Sequence, residues 1–125
     1  MFDTEAFIYN ALSHDASLLS LIGGVTHLTN AYPESIEVFP MVLFKLENQP
    51  DREFVDNKPI GNNCTFTVDI FTLEADTFPI ANAVYTVFNN LFWACDYNQE
   101  TPDPNIRVRH RIMRFNRLLF AGDML

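Results

Sequence analysis

The stretch Cys64-Thr65-Phe66-Thr67-Val68-Asp69-Ile70-Phe71-Thr72, followed after Leu73-Glu74-Ala75-Asp76 by an uncharged run from Phe78 to Cys95, decides the fold. In its first part Cys64, Phe66, Val68 and Ile70 fall on one face, while Thr65, Thr67 and Asp69 fall on the other. That is the period-two pattern of a strand with one dry side. Asp76 or Thr77 is placed to cap a following helix, and Pro79 sits in its first turn, where a missing N–H costs nothing. Phe78, Ala81, Val84, Tyr85, Phe88, Leu91, Phe92 and Cys95 then recur at three- and four-residue intervals, so the spacing predicts a long helix laying this stripe on the sheet. Ile80, Val87 and Trp93 lie off the stripe among Asn82, Thr86, Asn89 and Asn90. A helix apolar or neutral nearly all round is expected to be buried on more than one side, against a deeper core or against a neighbouring subunit. Ile80, Val87 and Trp93 are therefore candidate contact residues. The run is just long enough to cross a bilayer, but interspersed Asn and Thr and acidic flanks without basic anchors argue against a membrane span.

A length of 125 residues predicts one domain over 1–125, and 48% hydrophobic residues with twelve Phe predict a folded core. The net charge of −8 disfavours free nucleic acid as a partner. Its distribution says more than its sum. Residues 1–106 carry fifteen acids against three bases, whereas Arg107, Arg109, Arg111, Arg114 and Arg117 supply five of the eight bases. The two cysteines, Cys64 and Cys95, sit on apolar faces and lack a repeated spacing. Together with the lack of a recognisable targeting or lipidation pattern, this predicts buried free thiols in a protein made in a reducing cytoplasm.

From the start of the chain, Asp3 caps a predicted helix that turns Phe7, Ile8, Ala11 and Leu12 inward. Asp15 caps a second short helix, Ala16 to Ile22, stopped by Gly23-Gly24. Val25 to Leu28 is expected to be a brief strand, Tyr32-Pro33-Glu34 a turn, and Val38 to Glu47 a second strand with Pro40 near its start. The polar segment Asn48–Asn63 is too long for an ordinary hairpin turn and predicts a projecting loop or hairpin arm, with Arg52, Glu53, Phe54, Asp56 and Lys58 as contact residues. Asp96 to Asn105 is expected to be a turn-rich connection. The closing strand puts Ile106, Val108, His110 and Ile112 on one face and Arg107, Arg109 and Arg111 on the other, continuing into Met113 and Phe115. Residues 118–125 are expected to form a tail. The predicted class is α+β: a small antiparallel or mixed sheet of about four strands, with two short helices and one long helix on one face.

A catalytic role finds no support in these residues. His14, His27 and His110 match no metal-ligand spacing, no nucleophile elbow or phosphate-binding glycine loop occurs, and Cys95 has no cationic neighbour in sequence to activate it. No catalytic, metal or cofactor site is expected. The arginine row, Arg107, Arg109, Arg111 and Arg114, invites phosphate binding, but its fit to an acidic surface on the next copy of the chain suits the charge asymmetry better. Such head-to-tail contacts close into rings.

Two short helices ending in Leu18-Leu19-Ser20-Leu21-Ile22-Gly23-Gly24-Val25 are followed by Tyr32-Pro33, by Phe39-Pro40-Met41-Val42-Leu43-Phe44, and by a strand, long helix and closing strand. Over roughly residues 5 to 118 this order resembles the small tail-terminator or tail-to-head joining proteins of long-tailed bacteriophages. The resemblance implies a non-enzymatic virion protein: a hexameric ring at the head–tail joint, seated on the tail-tube protein and docking onto the head-connector (stopper or adaptor) protein. It further implies a central opening through which DNA passes, no cofactor and no membrane partner. Another neck or tail-completion component, or a cytoplasmic α+β module binding a small ligand or partner, are the alternatives.

Overall fold

A computed structural model describes residues 3–33, 36–48, 51–55 and 58–120; at 48, 51–55, 58–62, 119 and 120 the description is of the backbone. The elements are α1 (Thr4–Ser13), α2 (Ala16–Ile22), a short 3-10 turn (Val25–His27), β1 (Leu28–Thr29), β2 (Met41–Asn48), β3 (Asp51–Val55), β4 (Lys58–Leu73), α3 (Phe78–Asn90), β5 (Ala94–Thr101) and β6 (Val108–Phe120). The strands form one mixed sheet in the order β1-β2-β4-β6-β5, with β3 also on β4. Only the β1–β2 pair is parallel.

The first two helices obey their caps. The Asp3 carboxylate accepts from the Ala6 N–H at 3.1 Å and Asp15 from the Leu18 N–H at 2.9 Å. Gly23 then ends α2 in the left-handed region (φ 93), which a side chain would strain. Ile8, Leu12, Leu18 and Ile22 are fully or almost fully buried, with Phe7 and Ala11 packed at the margin.

The sheet's dry face is the expected one. Cys64, Phe66, Val68 and Ile70 are all 0% exposed, and antiparallel register sets Phe66 opposite Phe115 and Val68 between Phe44 and Met113. α3 closes this face, with the Phe88 ring stacked on Phe115 at 4.0 Å. Each such fully buried side chain contributes about 1.5–3 kcal/mol, so this face dominates the fold's stability.

Several expectations need correction. Six strands are present rather than about four, because Ala94–Thr101 is a strand and not a turn-rich link. Its side chains are mostly exposed on both sides, so no alternation marks it. The helix stops at Asn90, leaving Cys95 on β5. Val25–His27 is a 3-10 turn, and strand pairing passes Arg117 to reach Phe120; residues 121–125 lie outside the described residues. Within the segment read as an arm, β3 and the start of β4 form a hairpin with Val55 opposite Lys58 and Asp51 opposite Asn62. Gly61 to Asn63 also pair with β6, whereas Lys58 and Pro59 pair with β3 alone among the described residues.

Candidate interaction surface

The largest difference from the sequence pattern lies in the rotation of α3. Ile80, Val87 and Trp93, expected to face a neighbouring subunit, belong to the chain's own core, at 5%, 8% and 4% exposure. Phe78, Tyr85 and Phe92, expected on the core stripe, are 58%, 41% and 80% exposed. The helix carries two overlapping apolar arcs that share Ala81, Val84 and Phe88, and the observed arc also buries Ala83. Small residues at 81 and 83 let the helix approach its neighbours closely, which bulky aromatics at 78 and 85 would prevent. Past Asn90 helical spacing no longer applies. Phe92 takes a left-handed backbone (φ 65), which turns its ring outward and delivers Trp93 edge-on to Phe66 and Phe88 at 5.4 and 5.7 Å.

The outer side of α3 therefore presents Phe78, Tyr85, Asn82, Thr86, Asn89 and Asn90 to solvent, with Phe92 just beyond and no charge among them. At its N-terminal end this strip runs into an apolar groove of about 320 Å³ lined by Leu21, Phe39, Pro40, Leu73, Pro79 and Ile80, among others, with Asp76 as its charged residue. Leu21 and Leu73 remain more than two-fifths exposed. Continuous uncharged surface of this kind marks a contact site more often than a wet surface.

The arginines are not a free row. Arg107 Nε reaches Glu74 at 2.9 Å, Arg109 holds Glu100 at 3.0 Å and Asp76 at 3.8 Å, and Arg114 Nε reaches Asp96 at 2.9 Å. Arg111 donates to Thr77 Oγ1 and Asn98 Oδ1, both at 2.9 Å. Arg117 donates to the Leu91 carbonyl at 2.7 Å, satisfying an acceptor left over at the end of α3. Thr77 in turn donates to Glu100, and this bond, with Arg109 and Arg111, holds the Glu100 carboxyl below the usual carboxylate range. Register does set Arg107, Arg109 and Arg111 on the helix side of β6, in line with Met113 and Phe115, whereas Arg114 lies on the other side with Thr67 and Tyr97. The expectation of guanidinium groups open to an acidic neighbour or to phosphate is thus corrected: every one has a partner in its own chain.

On the sheet's other side is a cluster that sequence spacing did not reveal. Asp69, 6% exposed, accepts from the Tyr32 hydroxyl through Oδ2 and bonds His110 Nε2 through Oδ1 at 2.7 Å. His110 stacks on Phe71 at 4.1 Å, and His27 Nδ1 contacts the Pro40 carbonyl at 2.6 Å. Burial and the Asp69 carboxylate push the Tyr32 phenol well above its ordinary pKa, so it stays a neutral donor and no nucleophile. The cluster latches the chain after β1 to the centre of the sheet. Cys64 and Cys95 are free thiols, each raised by burial, which is opposite to activation. Among the described residues no group of three His, Cys, Asp or Glu side chains converges as a metal site, and no helix is long and apolar enough to cross a membrane.

Arg52, Glu53 and Phe54 on β3 and Lys58 on β4 lie in the hairpin; Asp56 is outside the described residues. β4 is 16 residues long, so at ~3.3 Å per residue the hairpin end and the groove at Leu73 are roughly 50 Å apart. The structure thus separates the arm residues from Arg107, Arg109 and Arg111 instead of joining them in one site.

No protein-family model matches the sequence, and no curated protein matches it. Among solved structures the fold is similar to a chain of the virion of native gene transfer agent (GTA) particle. The TM-score is 0.65 over 90% of this chain and 91% of that one, at 17% identity.

Proposed function

We propose that the chain is a virion structural protein whose copies form a ring that ends a phage tail tube and joins it to the head connector, with an opening for DNA. The observation that carries this reading is the likeness, over nine-tenths of both chains, to a subunit of an assembled phage-like particle. The surface supports it physically. An acidic protein with an uncharged aromatic strip, an apolar groove and a two-stranded arm has contact surfaces that its own fold does not use. The resemblance to tail terminators supplies the finer details: six copies, the tail-tube protein below, the connector protein above.

Purified particles from a producing strain, analysed by mass spectrometry and imaged at the head–tail joint, test the reading. The subunit is expected there as a ring, and disruption of its coding sequence should leave heads and tails unjoined. A protein absent from particles overturns it. The groove's volume also suits a small ligand, since such sites begin at roughly 300 Å³. Under that second reading the protein purifies as a monomer with a bound small molecule, visible as a mass adduct.

A further inference from the structure

We propose that the groove between α2, the end of β4 and the start of α3 is the seat for the β3–β4 hairpin arm of a second copy of this chain. The inference rests on the ring reading above and names the contact that would build the ring.

Three observations lead to the arm as occupant. The first is position: arm and groove lie at opposite ends of β4, roughly 50 Å apart, so an arm cannot enter the groove of its own chain. A protruding element at one end and a recess at the other are what a head-to-tail contact requires, and such contacts close when the rotation between copies permits. The second is composition: the arm carries Phe54, Val55, Pro59 and Ile60 close to its tip, and the groove offers Leu21, Phe39, Pro40, Leu73, Pro79 and Ile80. The third is charge. Within the arm Asp51, Glu53 and Asp56 outnumber Arg52 and Lys58. On a chain whose first 106 residues are strongly acidic, the end that holds the groove is where Arg107 and Arg109 stand, the latter 3.8 Å from groove residue Asp76. An acidic arm is repelled least there. The exposed Phe78 next to the groove and the strip that continues through Tyr85 extend the contact beyond the arm's tip.

Two single variants of the full chain give a decisive test: Phe54→Asp damages the arm and leaves the groove intact, and Leu21→Glu does the reverse. Native mass spectrometry should find wild type assembled and each variant alone monomeric, with melting curves like that of wild type. An equimolar mixture should form a one-to-one dimer and stop there, since the Phe54→Asp groove still accepts the Leu21→Glu arm and no second intact contact remains. Assembly of either variant to the wild-type size overturns the contact while leaving the ring reading standing. So does a mixture of monomeric variants that fails to pair. Wild type that stays monomeric at every concentration also overturns it, whereas the ring reading is judged on particles. If either variant melts early, Phe54→Ser and Leu21→Gln carry the same readout.

Discussion

The two sides of α3 are both apolar, and only one of them works for the monomer. On the inner side Ile80, Val84, Val87 and Phe88 meet Phe66, Phe115 and the first two helices, and Trp93 follows them inward once the helix has ended. On the outer side Phe78, Tyr85 and Phe92 are wet, uncharged and seven residues apart. The difference teaches that an apolar periodicity locates a helix without fixing its rotation. Rotation is decided by where small residues allow close approach and by how the chain leaves the helix. It also moves the case for assembly onto different residues: the surface available to a second molecule is the aromatic strip, because Ile80, Val87 and Trp93 are already used.

Substitutions can break or sharpen this contrast. The largest effect is expected on the inner side, where Phe88→Ala should cost about 3–5 kcal/mol in urea unfolding, by opening a cavity against Phe115. An intermediate loss is expected at the latch on the far side of the sheet. Asp69→Ala leaves the Tyr32 hydroxyl and the His110 ring without their buried acceptor and should cost about 1–3 kcal/mol by the same measurement. Outer substitutions belong at the bottom of the scale. Tyr85→Glu should change stability by no more than about 0.5 kcal/mol, since its side chain is largely solvated. If Tyr85→Glu proved as costly as Phe88→Ala, the assignment of the two sides would fail.

Charge substitutions should be smaller still in their effect on folding. The Arg107–Glu74 pair is more than three-fifths exposed on both partners, so Arg107→Ala should cost between zero and about 1 kcal/mol, and less at high salt. Glu100 gives a signed pH dependence. Its carboxyl is held low by the Thr77 hydrogen bond and by Arg109, so its contribution is fully present above the ordinary value of 4.5 and is lost as pH falls through the lower folded value. Urea midpoints of wild type and Glu100→Gln should therefore differ most near neutral pH and converge in acid. A gap that widens on acidification contradicts this.

What the sequence revealed and what it hid follow from the range of the forces involved. The caps at Asp3 and Asp15 and the stop at Gly23 were legible because each acts on backbone within three or four residues. β4 was legible through Cys64, Phe66, Val68 and Ile70, and the arginine alternation placed both faces of β6 correctly. β5 was hidden because Asp96, Asn98, Gln99 and Glu100 are wet edge residues, held by backbone pairing to β6 and by arginines across it. The partners of those arginines were hidden for the same reason. The latch was out of reach as well, since Tyr32, Asp69 and His110 lie 37 and 41 residues apart and only strand register brings them together. The aromatic strip was in plain view as residues and misassigned as core, because nothing local announces the turn at Phe92.

Hydroxyl-radical footprinting of free subunit and of intact particles tests the central claim most directly. The account predicts that Phe78, Tyr85 and Phe92 are heavily labelled in the free chain and protected in the particle, while Phe88 and Trp93 stay protected in both. Equal labelling of the three outer aromatics in free and assembled protein would contradict it.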